Sequence, residues 1–560
     1  MKTKNGKVKL FMVLTVCILS LVASMLVRYH RFAEVTTDTG HVKEFTAYFA
    51  YRGEKLSEGN RVQEVITEKI GAKVIETWQG NSSVEDEIGM FIASGEYPDF
   101  IDGSTAIQKL IGAGALRPLE DYIENYPNIK AYLAEKEWEK LKDENGHIYI
   151  IPQFSNIQGE ETSVIQQTEA FWIQKAVLEW AGYPEITTVE EYLDLIYNYQ
   201  RAFPTINGQE TIGFQILCDD WRYFCLENPP QFLAGYPNDG NCIVDPETGV
   251  ATLYDFIPEA RSYFKKLNEM FHKGVIKADT FVKSYDQYLE LIESGRVLGF
   301  VDQYWQFQSA NQSLYTMGMP ERTYVALGLT VDKNVEEQYR SKESLDVSNG
   351  LGISISCEDF EGALQLINDL LDPQIMKLRY WGEEGIDYEV DEKGLFYRSE
   401  EQRNHMKNIN WKLQNLCDYD FFPHYEGMLA DLRNTVYPEE QPGEFFASLC
   451  EYDKNFLEQY GFKTWVEFLN EPKEENAPWF PLYSFSNGFK EESWEGKTKK
   501  AIEELRREGL PQLIMCEPEE FEHRFLAYKE RFYETIEVER YEKLLTDEVY
   551  RRIKLSKDNS

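Results

Sequence analysis

The sequence predicts an α/β protein of more than one substructure, and three observations carry that reading. Short apolar runs suited to strands alternate with amphipathic stretches of helical period over the first three hundred residues or so. A chain of 560 residues exceeds what one hydrophobic core organises, so two or three substructures are expected. Apolar residues make up 42% and aromatics 14%, including 11 Trp, 35 Tyr and 33 Phe, enough buried material to exclude global disorder.

Residues 44–51 (EFTAYFAY) read as a strand, 60–70 as an amphipathic helix and 72–77 (AKVIET) as a second strand. Helical period returns at 84–94, and Gly95-Glu96-Tyr97-Pro98 turns the chain into a short strand at 99–101. Such alternation implies βαβ units, a mostly parallel sheet, and ligands at the carboxyl ends of its strands. Further on, 146–152 (GHIYIIP) reads as a strand closing on Pro, and 171–180 and 189–203 as helices. A second αβ set follows, with strands at 213–217 and 297–301 around a helix at 260–273. Beyond residue 400 the chain is mostly helical and charge-rich. Without an internal repeat or a low-complexity linker, the two lobes are expected to be joined by short strands or hinges.

The N-terminus addresses the compartment. Lys2, Lys4, Lys7 and Lys9 precede an uncharged apolar run at 10–27, which Arg28 and Arg31 close. Eighteen residues reach the lower limit of a spanning helix, and the lysines keep the preceding end in the cytoplasm. Cys17 sits mid-run after Val16, so lipidation is not expected there, and Ala23-Ser24-Met25 ends on a residue too large for a small-x-small cleavage site. The expected plan is therefore 1–9 cytoplasmic, 10–27 a single-pass signal anchor in the cell membrane, 28–43 a spacer, and the remainder on the extracellular face.

Other classes lack support. With 96 acidic against 58 basic residues, the formal charge of -38 repels a phosphate backbone, so nucleic acid is excluded as a partner. Eight scattered cysteines contain no CxxC pair, and seven histidines form no close ligand spacing, so no metal site is expected. GxSxG, HExxH and Walker motifs are absent, and Gly112-Ala113-Gly114 follows a helical stretch, unlike a dinucleotide loop. No catalytic residue and no cofactor are therefore expected.

Four blocks in order carry a resemblance. The first is 92–101 (IASGEYPDFI), followed by GAGALRPLEDYIENYPNI and DENGHIYIIP. The second is 171–192 (FWIQKAVLEWAGYPEITTVEEY), where Thr187 or Thr188 with Glu190 or Glu191 suits a capping box. The third, within 267–300, contains KGVIKADTF and ESGRVLGF, and the fourth is 380–394 (YWGEEGIDYEVDEKG). Together they resemble the extracellular solute-binding proteins of ABC importers, specifically the large carbohydrate-binding group of Gram-positive bacteria. The resemblance implies a two-lobed fold of the type II periplasmic-binding-protein kind, closing on a hinge over a carbohydrate, an oligosaccharide by expectation. It also implies permease subunits as partners and no chemistry. On that plan 44–158 plus 303–400 form lobe 1, and 159–302 plus 401–550 form lobe 2. Some relatives carry a calcium loop after the helix equivalent to 189–203; here 204–210 offers only Asn207 and Glu210 as obvious oxygen donors, so no calcium is expected.

Sugars present apolar CH faces and hydroxyl edges, so their sites combine aromatic rings with fixed polar groups. At the ends of the expected strands stand Trp78 in lobe 1, then Asp102 and Ser104, then Gln153 beside Phe154. In lobe 2 they are Asp220 and Trp221, then Tyr304 and Trp305. Packing is the alternative for each ring, and capping of the next helix is the alternative for Asp102 and Ser104. Two other outputs stay open: a tethered sugar sensor for a two-component system, and a cell-surface glycoside hydrolase with paired carboxylates.

Overall fold

The computed structural model describes residues 42–558, apart from 144, 240–241, 343–344, 442 and 474–476. The expected anchor at 10–27 lies outside the described residues; among them no helix is long and apolar enough to cross a membrane.

Eight strands build two four-stranded sheets. In chain order they are β1 (Lys43–Phe49), β2 (Ala72–Trp78), β3 (Phe100–Asp102), β4 (Glu169–Gln174), β5 (Ile212–Gln215), β6 (Val297–Gln303), β7 (Tyr324–Leu327) and β8 (Gly352–Ile353). The first sheet runs β8-β3-β1-β2, with β1 parallel to both β2 and β3. Its crossover helices start and stop where the sequence punctuates them. Asn60 caps the helix Arg61–Ile70 by accepting from the Gln63 N–H, and Gly71 ends it at φ 70. Ser83 and Gly95 do the same for Val84–Ser94.

The second sheet runs β7-β4-β6-β5. Only β6 and β5 are parallel; β4 is antiparallel to both β6 and β7, so this sheet is mixed instead of mostly parallel. The segment expected as a helix at 171–180 begins as the central strand β4, all six residues buried, and turns helical only at Lys175. A strand covered on both faces loses the alternation that would identify it, and its apolar run resembles a buried helix. The strand expected at 146–152 pairs only through an isolated bridge from Ile151 to Leu351.

Two separate cores follow the two sheets. One gathers buried side chains from Phe45 to Ile151 and from Leu351 to Phe422; the other gathers them from Ala170 to Tyr339 and from Phe456 to Val549. This corrects the expected lobe boundaries in two places. The stretch 303–339 packs in the second lobe, because β7 hydrogen bonds along β4. Residues 417–422 pack in the first, because the Arg379 guanidinium donates to the carbonyls of Leu370, Asp418, Tyr419, Phe422 and Pro423. The chain crosses between cores after Ile151, after Tyr339 and after Phe422, and two crossings pair with each other as the short parallel strands Ile157–Gln158 and Glu426–Gly427. The helices Trp494–Met515, Phe521–Thr535 and Val538–Asp558 pack on the second lobe.

The loop at 204–210 is a β-hairpin. Thr205–Ile206 pairs with Gln209–Glu210 across Asn207 and Gly208 at φ 51 and 75, the two positive angles that a tight primed turn demands. Glu210 is held by Lys277 at 2.7 Å. Thr188 and Glu191 form the expected capping box.

Candidate functional site

The carboxyl ends of the strands in both sheets bring aromatic rings and charges together. On the first lobe, Trp78 ends β2 with its ring 5.1 Å from Phe49 and 4.9 Å from Phe421. The Gly53 backbone crosses this indole so closely that a Cβ there would lie 2.2 Å from Trp78 Cδ2. Tyr51 and Phe154 pack against Phe421 at 5.1 and 5.6 Å, extending the aromatic group. Below it, Asp102 at the end of β3 accepts from the Ser104 N–H at 2.6 Å and from Gln153 Nε2 at 2.5 Å. Burial pushes the Asp102 carboxyl up to about 7.

On the second lobe, β5 leads into a tight turn, Asp220–Tyr223, and β6 runs directly into the helix Tyr304–Thr316. The two ends set Trp221 and Trp305 in a stack, centroids 5.9 Å apart and planes 18° from parallel, with Phe224 stacked on Trp221 at 5.9 Å. Arg222 lies over the rings of Trp221 and Tyr285, at 4.6 and 4.0 Å. Beneath, Asp302 is fully buried and accepts from Tyr288 Oη, Gln306 Nε2 and the Gln303 N–H at 2.7 to 2.8 Å. Burial pushes this carboxyl up to about 7 as well.

The lobes meet at these ends. Arg52 beyond β1 pairs with Asp286 of the second lobe at 3.3 Å, and Lys109 pairs with Glu491 at 3.1 Å. The Asp220 carboxyl is pushed up by burial and then by the charge of Glu85 from the first lobe.

No family model matches the chain. Lipoprotein LipO of Bacillus subtilis is 25% identical over 243 residues, 41% of this chain, and the chain spans less than half of that relative's length, 44%. Solved structures align over nearly the whole chain. The S. pneumoniae ABC-transporter substrate binding protein FusA in complex with kestose superposes with a TM-score of 0.59 at 15% identity, over 92% of this chain and 100% of that one. An ABC-transporter-associated solute-binding protein from Bifidobacterium longum infantis, described as HMO binding, gives 0.57 at 14% identity over 90% and 98%. The alginate-binding protein AlgQ2 without calcium ion gives 0.56 at 16% identity over 92% and 98%.

This is the solute-binding protein fold.

Within the solute-binding fold, the expected site residues divide. Trp221 and Trp305 come together, and Trp305 keeps 44% of its surface exposed. Trp78 is half-buried, one face covered by its own chain. Asp220 stands beside Trp221 in a left-handed turn, φ 53, with its carbonyl held by Arg507. Asp102 and Gln153 are both sealed from solvent, so they support the first-lobe shelf instead of reaching a solute. Ser104, half-buried at φ 44, opens the short helix Ser104–Ala106, and its backbone N–H donates to Asp102. Tyr304 turns away from Trp305 and packs 5.6 Å from Trp172 and 5.3 Å from Phe307, a core role.

Four neighbours of the candidate site are not among the expected residues: Arg52, Arg222, Tyr285 and Phe421. Arg222 lies inside the strand-end run Asp219-Asp220-Trp221-Arg222-Tyr223 and is legible there as a cation between two aromatics. Arg52 follows β1 by the same strand-end rule. Tyr285 and Phe421 come from distant loops with no local signal. The chemistry on offer is adhesion to flat apolar faces and charge recognition, since Asp102 and Asp302 are committed to protein donors in separate lobes. Among the described residues no three His, Cys, Asp or Glu side chains group as metal ligands.

Proposed function

We propose that the chain is the extracellular solute-binding component of an ABC importer and captures a carbohydrate, an oligosaccharide in size, between two lobes that close about their crossings. The observation that carries this reading is the Trp221–Trp305 stack at the carboxyl ends of β5 and β6, facing the lobe that carries Trp78. Indole faces match the CH faces of pyranose rings, and a run of them suits several linked sugars. The fold's neighbours include proteins described in complex with kestose or as binding HMO, which supports carbohydrate as the solute class. The reading has binding energy do the work: the solute favours the closed arrangement by its higher affinity for it, and no bond is made or broken. Residues 10–27 act in this reading as a single-pass anchor, holding the lobes outside the membrane next to the permease subunits.

The test is calorimetry and tryptophan fluorescence against a panel of oligosaccharides. A bound sugar at 100 times its Kd should raise stability by about 2.7 kcal/mol. Trp221→Ala should weaken binding by roughly tenfold or more, the loss of about 1.5 kcal/mol of ring burial, while the thermal transition of the free protein stays cooperative. No stabilisation by any saccharide, neutral or acidic, would sink the proposal.

A further inference from the structure

Four arginines are buried among the described residues: Arg222, Arg379, Arg398 and Arg506. Two have hydrogen-bond acceptors and a third has an ion-pair partner. Arg379 donates to five backbone carbonyls. Arg506 is bidentate on Asp255, and Arg398 lies 3.7 Å from Glu439. The one buried lysine among the described residues, Lys175, donates to Asp453 and Tyr315. Arg222 is the exception: its guanidinium makes no hydrogen bond or ion pair with the protein, and its Nε, like that of Arg398, is sealed from solvent without an acceptor.

Buried charges are ordinarily paired, because removing one from water without compensation is costly. Arg222 is positioned instead by two ring faces, Trp221 and Tyr285, and that mode of holding uses no N–H donor. The nearest carboxylates do not discharge it. Asp302 accepts from Tyr288, Gln306 and Gln303, Asp219 accepts the Tyr285 N–H at 2.8 Å, and Asp220, Asp302 and Asp219 act on the guanidinium only through space. A second cation approaches from the opposite lobe, since Arg52 is close enough for its charge to act on Tyr285. In a chain of net charge -38, Arg222 is a cation at the inter-lobe aromatic stack that no carboxylate contacts directly.

We propose that Arg222 receives an anionic substituent of the captured saccharide, a uronate carboxylate or a sulfate, through the planar N–H edge that the protein leaves uncommitted. This rests on the carbohydrate-binding reading above and names the class of carbohydrate. Trp221 and Trp305 hold the sugar face, and Arg222 selects its charge.

The experiment titrates the protein with matched pairs. Oligomers of galacturonate, glucuronate and mannuronate are set against their methyl esters, and carrageenan oligosaccharides against their desulfated forms. Among these pairs at least one acid should bind about tenfold or more tightly than its neutral partner, with affinity falling as salt rises. The carboxylate and sulfate arms tell which anion is read. Arg222→Gln should bring the acid-to-neutral ratio close to one, and Arg222→Lys should restore part of the preference. A ratio of one or less in every pair, measured on the unaltered protein, overturns the inference whatever the variants do; so does a preference that Arg222→Gln leaves intact in a folded protein. If neutral oligosaccharides bind and acidic ones do not, the carbohydrate reading stands and this inference fails. If no saccharide binds, both fail.

Discussion

Two arginines of the second lobe occupy similar surroundings and have opposite consequences. Arg506, on the helix Trp494–Met515, is buried 5.0 Å from the Tyr254 ring and grips Asp255 through Nε and Nη2 at 2.7 and 2.8 Å, with Glu227 at 3.6 Å. Arg222, in the turn after β5, is also buried and also meets ring faces, but no acceptor completes it. The first is a fastener that ties the C-terminal helices to the lobe. The second has no protein acceptor, so the partner, more than burial or aromatic company, separates the two arginines.

That contrast can be broken most forcefully through stability. Asp255→Ala strands the Arg506 charge and should lower the unfolding free energy by about 3–5 kcal/mol in a urea titration. Arg222→Leu removes a charge that has no protein partner and should change stability by less than about 1 kcal/mol, or raise it. Equal losses in the two variants would erase the distinction. A smaller effect is expected where the first lobe covers its own aromatic shelf: Gly53→Ala forces a methyl group to within 2.2 Å of the Trp78 ring. It should cost about 1–3 kcal/mol and shift the tryptophan emission, both read from a fluorescence-monitored melt.

A last effect concerns pH beneath Arg222. Burial raises the Asp302 carboxyl to about 7, while in the unfolded chain it titrates near its ordinary value of about 4. The folded state therefore keeps a proton that the unfolded state releases, and the contribution is full below pH 4 and is lost as pH climbs through about 7. Asp302→Asn should flatten this dependence by on the order of 1 kcal/mol per pH unit in that window. An unchanged slope would mean that the carboxylate next to Arg222 is already ionised at low pH.

Much of the first lobe is legible in the sequence, and the reason is local. Asn60, Gly71, Ser83 and Gly95 state where two helices begin and end, and β1, β2 and β3 alternate with them. The second lobe is less so. β4 is apolar on both faces and reads as helix, and the lobe assignment of 303–339 depends on β7 pairing with β4, a contact between segments 150 residues apart that no window captures. The site follows the same division. The strand-end rule reaches Trp221 and Trp305, but it does not say which way a side chain turns, so Tyr304 is a core residue next door to an exposed Trp305. It brings Asp102 and Gln153 to the strand ends of the first lobe but beneath the surface layer. Arg222 is visible in the sequence as a residue; its missing partner exists only in three dimensions.

Two of the three crossings between lobes are stitched together, with Glu426 N–H donating to the Asn156 carbonyl at 3.0 Å and Met428 N–H to that of Gln158 at 2.8 Å. Loose strings would let two bodies slide, swivel and tilt. A laced ribbon bends across its plane and resists shear within it, so the paired crossings restrain one lobe from sliding along the other.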